Sequence, residues 1–239
     1  MTASKRGFVH GPRPGRDEIL IVSANLAAPS GDALGLLDDS ERARAERFLF
    51  DEDRRRFVAS HAALRVALGN ATERDPRSLR FVTGPHGKPS LAEPASGIQF
   101  NLSHSGERAL IAIAVGRRVG VDIERDRGVD ELALASRFFS EAEAAAIAGT
   151  PPANRRAAFF RIWTRKEAFV KAIGDGLTHP LASFHVNGAD DNSLDQSLVA
   201  CADRSAIARW RVVPLAADDG YTAALAAEAG AWRVRRLNN

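Results

Sequence analysis

The sequence predicts an α+β protein built from two similar halves. The chain has 239 residues, of which 45% are hydrophobic, and this suits a substantial buried core. Stretches patterned like strands alternate with stretches that have the apolar periodicity of helices. The order helix, helix, short strand occurs twice, and we interpret it as an internal repeat; chance similarity between alanine- and arginine-rich helices is the alternative. The ranges that resemble each other are 47–57 and 137–147, 60–69 and 165–174, and 78–82 and 183–187.

The first half begins with a strand at residues 19–26, which are mostly apolar. Asp39 and Ser40 suit the start of a helix that runs through residues 41–50. A longer helix is expected over residues 51–69, where the final glycine would end it. The remaining elements expected in this half are a short strand at 78–83, a turn at 84–89, and two strands within 99–115 around the polar turn Ser-His-Ser-Gly-Glu.

The second half opens with a predicted strand at residues 119–124 and continues with the helical segments at 137–147 and 165–174. A polar loop is expected at residues 190–197. Three later segments have the alternating apolar and polar pattern of strands and are predicted to complete a sheet in this half, namely 210–215, 221–227 and 232–237. The predicted parts of the chain are a flexible tail at 1–18, an N-terminal α+β half at 19–117 and a C-terminal α+β half at 118–239.

Cysteine content and hydropathy exclude several classes of protein. The single cysteine, Cys201, allows neither a disulfide framework nor a thiolate zinc site within the chain, and it fits a reducing cytosol. No apolar run approaches the roughly 20 residues of a membrane-spanning helix. Residues 1–18 lack the apolar segment of a signal peptide. We therefore predict a cytoplasmic protein that does not bind membranes.

The net charge of +3 is modest, but the arginines are clustered. Such clusters suit a polyanion, either nucleic acid or a phosphorylated small molecule. Solvated helix faces are the alternative for any single cluster. The clusters are Arg42, Arg44 and Arg47, then Arg54, Arg55 and Arg56, then Arg155 and Arg156.

Two carboxylates occur in the strand sequence Gly-Val-Asp-Ile-Glu. Because side chains alternate between the faces of a strand, Asp122 and Glu124 point the same way while Val121 and Ile123 point into the core. Paired carboxylates offer hard oxygen ligands to a divalent cation such as Mg²⁺. A half-buried strand with acids facing water is the alternative for this motif alone.

A second group of polar residues occurs in the sequence Phe-Asn-Leu-Ser-His-Ser-Gly-Glu. Hydroxyl groups, an imidazole and the backbone amides of a turn can together hold a phosphate, which makes Ser103, His104 and Ser105 candidates. No Gly-x-Ser-x-Gly motif is present, so a serine hydrolase is not indicated. A polar hairpin turn without a ligand is the alternative.

A third group lies on an aromatic-rich helix. Residues four apart lie nearly in line on a helix, so Trp163, Glu167 and Lys171 form one row. A surface Glu–Lys pair would contribute only about 0.2–0.5 kcal/mol. The neighbours of Glu167 are strongly apolar, however, and a buried carboxylate needs a partner. A metal ion shared with Asp122 and Glu124 would provide one.

Together these motifs resemble, in order and spacing, the 4′-phosphopantetheinyl transferase superfamily, and in particular its longer, two-halved branch typified by the surfactin-synthetase activating enzyme. The similarity covers about residues 36–225. The residues that carry it are Gly87 to Pro89, Asn101 to Ser105, Gly120 to Glu124, Arg137 to Glu143 and Trp163 to Lys171.

The resemblance implies a pseudo-dimeric α+β fold and a holo-[acyl-carrier-protein] synthase type of activity. Such an enzyme moves 4′-phosphopantetheine from coenzyme A to a serine of an apo acyl or peptidyl carrier protein, releases 3′,5′-ADP, and requires Mg²⁺ or Mn²⁺. Carriers of fatty-acid, polyketide, nonribosomal-peptide and siderophore synthesis all remain open. Since two halves in one chain can form the cleft between them, a monomer is expected, without nucleic acid or membrane partners.

The resemblance also implies roles for particular residues. Asp122, Glu124 and Glu167 match the metal-binding carboxylates of the family. Glu167, directly or through a metal-bound water, is our hypothesis for the base, and Lys171 is expected near the transferring phosphate. The other residues that match coenzyme A contacts are Arg44, Arg56, Lys88, Ser103 and His104.

Two positions depart from the family pattern. Phe57 stands where relatives often carry a small polar residue, and Glu41 stands where a close relative has lysine, so the first helix would contact phosphate through Arg44 and Arg42. The carrier protein is expected to dock on residues 125–139. A nucleic-acid-binding module and a different metal-dependent phosphotransferase or hydrolase are the competing functions, and neither accounts as well for the whole motif set.

Overall fold

A computed structural model of the chain describes residues 13–28, 31–93, 97–176, 179–188, 198–201 and 208–238. The loop predicted at 190–197 and most of the predicted tail lie outside these ranges. The helices are α1 Ala33–Leu36, α2 Asp39–Ala45, α3 Asp51–Thr72, α4 Glu131–Phe138, α5 Glu141–Gly149 and α6 Pro152–Ile173. The strands are β1 Glu18–Asn25, β2 Phe81–Thr83, β3 Pro89–Leu91, β4 Ile98–Ser105, β5 Arg108–Val115, β6 Val119–Arg125, β7 Phe184–Val186, β8 Leu198–Cys201, β9 Trp210–Leu215, β10 Tyr221–Glu228 and β11 Arg233–Asn238.

The strands form two larger sheets with matching topology. One sheet has the order β11-β1-β5-β4 and the other has the order β6-β10-β9. In each, a strand that precedes the helices pairs antiparallel with the second strand of a later hairpin. Each half also has a two-stranded ribbon, β2-β3 or β7-β8. The predicted α+β fold of two similar halves is therefore confirmed.

The helices repeat as predicted in order but not in register. Both α2 and α5 begin with a capping box, formed by Asp38 with Glu41 and by Ser140 with Glu143. Both α3 and α6 have 22 residues. Hence α5 matches α2, and the predicted match of residues 137–147 to the start of α3 is wrong. Alanine- and arginine-rich helices resemble each other in many registers, whereas the caps define only one.

Two predicted helix ends also differ from the structure. The first predicted helix ends at Ala45 rather than at residue 50, and Leu49 in the turn that follows is 88% exposed. The second continues through Gly69 to Thr72. A Cβ atom on Gly69 would lie 2.8 Å from the Cγ atom of Pro76, so this glycine serves a close contact and does not end the helix.

The last strand belongs to the other half from the one predicted. We expected residues 232–237 to close the second sheet, but β11 pairs in parallel with β1 of the first sheet, with Val22 opposite Leu237. Trp232, just before this strand, is buried in the core between the halves. The alternating sequence identified a strand correctly, but it carried no information about which edge the strand would join.

The two larger sheets face each other, and a long helix covers the outer face of each. Helix α3 packs on the first sheet through residues such as Leu64 and Leu68. Helix α6 packs on the second sheet through residues such as Phe169. The core between the sheets includes Ile19, Ile21, Leu110, Val119, Val121 and Leu225. In the part of the chain that the structure describes, no helix is long and apolar enough to cross a membrane.

Candidate functional site

The two halves are joined at β4 and β6 by side chains rather than by a backbone ladder. Alternate residues of β4 face β6 and accept hydrogen bonds from its backbone N–H groups. We call the side chains of Asn101, Ser103 and Ser105 the β4 latch. The bonds run from Val121 N to Asn101 Oδ1 at 2.9 Å, from Ile123 N to Ser103 Oγ at 3.3 Å, and from Arg125 N to Ser105 Oγ at 3.1 Å.

This arrangement corrects the predicted polar turn. Ser103, His104 and Ser105 all belong to strand β4, and only Gly106 and Glu107 separate it from β5. The two serines are buried against the second half, whereas His104 points the opposite way and is exposed. The alternation of Asn101, Ser103 and Ser105 was the available signal for a strand, but three consecutive polar residues also match a turn.

Asp122 is the most buried of the predicted metal-binding carboxylates, at 2% exposure. Its Oδ1 atom accepts hydrogen bonds from Ser103 Oγ at 2.9 Å and from Lys171 Nζ at 2.6 Å. Lys171 Nζ also lies 2.9 Å from Ser103 Oγ. The Oδ2 atom of Asp122 is buried, and no side chain or backbone group within the described ranges bonds to it. One oxygen is thus fixed in place while the other has no partner.

The other two carboxylates have perturbed pKa values. Burial raises the pKa of Glu124, and the charge of Asp122 raises it further, while a hydrogen bond from Ser105 opposes the shift. Burial also raises the pKa of Glu167, and Asp122 and Glu124 add to the increase. The three carboxylates therefore repel one another in a region where water is scarce. The row predicted on the helix does reach Asp122, since Lys171 bonds to it directly.

These residues fit a divalent cation chemically. Among the described residues, no three His, Cys, Asp or Glu side chains are already grouped closely enough to hold a metal ion. The donors are nevertheless hard oxygens, Asp122 Oδ2 lacks a partner within the described ranges, and the pKa values of Glu124 and Glu167 are raised by burial and then by neighbouring negative charge. A dication would relieve both the repulsion and the unsatisfied oxygen.

A cleft of about 880 Å³ opens beside this group. Its walls come from α2, α3, the β2-β3 ribbon and β4, and Lys171 of α6 is part of the lining. Five of the residues predicted to contact coenzyme A line the cleft, namely Arg44, Arg56, Ser103, His104 and Lys171. The structure therefore brings most of the predicted binding residues to one surface.

The two cleft arginines have different surroundings. Arg56 Nε bonds to Glu107 Oε1 at 3.0 Å, and the same guanidinium pairs with Glu52. Arg44 lies over the ring of Phe57, 5.2 Å from its centroid. A phosphate at Arg56 would thus compete with acids of the protein, whereas Arg44 is exposed and lies over a buried aromatic ring.

Lys88 lies apart from these residues. Its Nζ atom donates to the carbonyl oxygens of Val119 at 3.1 Å, Lys171 at 2.7 Å and Ala172 at 2.9 Å. Burial lowers its pKa to about 8. An ammonium has three protons to donate, and all three are used here. Lys88 thus links the end of α6 to β6, and a phosphate contact by Lys88 would have to replace one of these bonds.

The two departures from the family pattern have structural partners. Phe57 is buried and packs against Phe48 and His61, with ring centroids 5.2 and 4.0 Å away. Glu41 accepts from Arg65 Nε at 2.6 Å and from His61 Nδ1 at 3.0 Å. Sequence reasoning missed this cluster because Arg65 is fully buried, and charged residues are rare at fully buried positions.

The comparison with known proteins agrees with this fold. Residues 30–115 match the family profile "4′-phosphopantetheinyl transferase, N-terminal", and residues 118–226 match "4′-phosphopantetheinyl transferase superfamily". A two-halved α+β transferase is therefore the class of protein defined here. The chain belongs to the 4′-phosphopantetheinyl transferase superfamily.

Its relatives include proteins that are themselves named 4′-phosphopantetheinyl transferases. The chain is 35% identical to the 4′-phosphopantetheinyl transferase HetI of Nostoc over 92% of its own length and 91% of the relative. It is 29% identical to the 4′-phosphopantetheinyl transferase Sfp of Bacillus subtilis over 81% of its own length and 83% of the relative. The predicted family and its Sfp-like type are confirmed.

Proposed function

We propose that this 4′-phosphopantetheinyl transferase moves the phosphopantetheine arm of coenzyme A to a serine of an apo acyl or peptidyl carrier protein and releases 3′,5′-ADP. The observation that carries it is that Lys171 lines a cleft bearing two arginines and also bonds to Asp122, which acts electrostatically on Glu167. Family membership supports the transferred group. The acceptor, the second product and the need for Mg²⁺ or Mn²⁺ are parts of the proposal.

Coenzyme A carries a diphosphate and a 3′-phosphate, and the cleft offers cations for both. Arg44 and Arg56 stand on the α2 and α3 side, and Lys171 stands on the α6 side. His104 of β4 lines the same cleft, where desolvation lowers its pKa and suits it to hydrogen bonding rather than to a permanent positive charge. Several cations on one ligand give both affinity and orientation. We assign the diphosphate to the Lys171 end of the cleft, because this end adjoins the carboxylates that would share a metal ion with it.

Asp122, Glu124 and Glu167 would hold the Mg²⁺ ion. When bound, the ion supplies charge neutralisation to the diphosphate and polarises the phosphorus that is attacked. These neighbouring carboxylates suit a dication, because its binding would remove their mutual repulsion.

The protein's own groups then act on the proton and the leaving group. Glu167 accepts the proton of the carrier serine hydroxyl, directly or through water, as the serine oxygen bonds to the β-phosphorus of coenzyme A. The bond from this phosphorus to 3′,5′-ADP breaks, and Lys171 stabilises the charge that develops on the departing phosphate. No covalent bond to the enzyme is needed, because positioning and charge stabilisation carry most of phosphoryl transfer.

The carrier would dock on residues 125–139, beside the carboxylates. Arg125 and Arg127 are exposed and can meet an acidic helix, and Leu132 of α4 adds an exposed apolar side chain. Phe139 is buried in the core and Phe138 packs edge-on against Trp163, so neither supplies a free apolar anchor. The two arginines could pair with the acidic residues expected on the helices of carrier proteins.

Mass spectrometry of a carrier protein tests the proposal. An apo carrier incubated with the protein, coenzyme A and Mg²⁺ should gain the mass of one phosphopantetheine group, and chelation of the metal should prevent the gain. A panel of acyl and peptidyl carriers that all remain apo would contradict the proposal. Binding to DNA or RNA with a steep salt dependence would favour the nucleic-acid alternative instead. Sedimentation with and without the carrier would test the proposed monomer.

A further inference from the structure

Ser105, at the end of β4, has a fixed position between the two halves. It is buried, and its Oγ atom accepts a hydrogen bond from Arg125 N at 3.1 Å. The same atom lies 2.9 Å from Glu124 Oε2, to which it donates. A hydroxyl has one proton, and with the backbone N–H on one of its lone pairs the proton is directed to the carboxylate.

The same arrangement occurs one pleat earlier on the strand. Ser103 Oγ accepts from Ile123 N and lies 2.9 Å from Asp122 Oδ1. Each hydroxyl of the first half therefore binds one backbone N–H and one carboxylate of β6. The two carboxylates that would share a metal ion are thus oriented by serines that lie about twenty positions earlier, in the other half.

We propose that Ser105 is a positioning residue that holds the Glu124 carboxylate at the metal site across the junction of the two halves. This inference rests on the proposed function, because it presumes that Glu124 binds the metal. A free glutamate side chain has several rotatable bonds, and a hydrogen bond from a buried hydroxyl restricts them before the ion arrives. Partners of this kind, which contact a ligand rather than the metal, often contribute strongly to metal affinity.

Asn101 provides a matched comparison within the β4 latch. Its Oδ1 atom accepts from Val121 N at 2.9 Å, as Ser105 accepts from Arg125 N, but this bond joins it to the backbone of β6 and not to a carboxylate. If Ser105 only joined the halves, loss of either side chain would have the same consequences. If Ser105 also orients Glu124, only its loss should weaken metal binding.

The experiment measures Mn²⁺ binding to the full chain with saturating coenzyme A, by electron paramagnetic resonance of the free ion. Ser105→Ala should raise the Mn²⁺ dissociation constant about 10-fold, which is typical for loss of a group that orients a metal ligand. Ser105→Thr, which keeps the hydroxyl, should restore much of the affinity. Asn101→Ala should lower the thermal unfolding midpoint as Ser105→Ala does and leave Mn²⁺ affinity unchanged.

A double-mutant cycle completes the test. On a Glu124→Gln background, Ser105→Ala should cause no further loss of Mn²⁺ affinity, because its effect passes through Glu124. The inference is overturned if Ser105→Ala binds Mn²⁺ like the unchanged protein, if Asn101→Ala weakens binding equally, or if the two losses simply add. Absence of Mn²⁺ binding by the unchanged protein with coenzyme A would overturn the proposed metal site itself, and this inference with it.

Discussion

The two halves have the same elements but differ in what these elements carry. Strand β6 pairs with β10 as β1 pairs with β5, and counting along the partner strands places Asp122 opposite the fourth residue of β10, as Val22 is opposite the fourth residue of β5. On the same count Glu124 falls on Ala24. Counted from the start of α3 and α6, Glu167 falls on Val66. Every predicted metal-binding carboxylate of the second half therefore has an apolar counterpart in the first.

The difference extends to the surroundings of the two strands. Beside β6 lies the polar β4 latch, whose counterpart on β9 contains Val213 and Leu215 in the core between the sheets. Beside β1 lies β11, and among the described strands no strand pairs with the matching edge of β6. A symmetric pair of halves would form two equivalent sites. In this chain the polar residues of one such site are present, and core residues stand at the matching positions of the other.

The approach of the long helix to its strand also differs. Gly120 of β6 lies under α6, and a Cβ atom there would be 2.2 Å from Ala168 O. On the same count the matching residue of β1 is Leu20, which packs in the core under α3. The glycine lets the backbone of α6 touch β6, and this close approach is what allows Lys171 to reach Asp122.

The largest effect is expected from removing charge on the long helix of the second half. Glu167→Gln keeps the shape of the side chain but cannot take the serine proton, so turnover should fall roughly 10²–10⁴-fold. Its counterpart Val66→Ala should stay within a few-fold of the unchanged protein. The rate of holo-carrier formation at saturating coenzyme A and Mg²⁺ measures both. A Glu167→Gln enzyme of nearly normal turnover would remove Glu167 as the base and weaken the contrast between the halves.

The second expected effect concerns a feature that the halves share. Lys166 is fully buried with its Nζ atom 2.7 Å from Glu143 Oε2, and Arg65 is fully buried against Glu41 and Asp38. Lys166→Met would leave a buried, unpaired carboxylate and should cost about 3–5 kcal/mol in the free energy of unfolding. Arg65→Met leaves two acids and should cost at least as much. Urea unfolding measures both values.

A paired substitution distinguishes the ion pair from simple packing. Lys166→Met combined with Glu143→Gln should recover part of the lost stability, because no charge then remains buried alone. Equal losses in the single and double variants would show that packing, not charge, dominates. In that case the resemblance between the two ion clusters would be one of position only.

Much of the fold could be predicted because its signals are local. The alternation in residues 19–26 and 119–124 identified both long central strands, and the same alternation placed Asp122 and Glu124 on one face. The repeat order was also recognised. The register of the repeat and the partner of β11 were not, because the first depends on caps and the second on contacts between residues far apart in sequence.

The site could be predicted only where one element sufficed to define it. The row from Glu167 to Lys171 follows from helix geometry alone. The role of Ser105 does not, because its partner lies on another strand and the local sequence resembles a turn. Lys88 is a second example. Its motif indicated a phosphate contact, but its hydrogen bonds to three carbonyl oxygens depend on residues far away in the sequence.

A smaller effect is expected from adding a side-chain atom at the contact between α6 and β6. Gly120→Ala would force α6 away from the strand, and overpacking of this kind costs about 1–3 kcal/mol of stability. Turnover should fall as well, because Glu167 and Lys171 move with the helix. Gly149→Ala is the control, since nothing lies within 4 Å of the added atom. If Gly120→Ala is as stable and as active as this control, the close approach is not needed for the site.

The smallest effect concerns how the two long helices end. Both helices end in a left-handed residue, Glu73 in α3 and Gly174 in α6, whose backbone N–H bonds back into the helix. The last carbonyl oxygens of α6 also accept from Lys88 of the other half, which α3 has no match for among the described residues. The pKa of Lys88 is lowered to about 8 in the folded protein, against about 10.4 for a free lysine. Between these values the unfolded chain binds the proton and the folded chain does not. The free energy of unfolding should therefore rise with pH in this window, by at most about 1.4 kcal/mol per pH unit from this group.

Lys88→Met isolates that contribution. The variant should be less stable at every pH because three carbonyl oxygens lose their donor. The difference in unfolding free energy between the unchanged protein and the variant should grow from about pH 8 towards pH 10, as measured by urea unfolding at several pH values. A difference that stays constant would mean that the carbonyl oxygens keep Lys88 protonated despite its burial. Helix α6 would then be held by a permanent charge from the first half, and this would strengthen the contrast with α3.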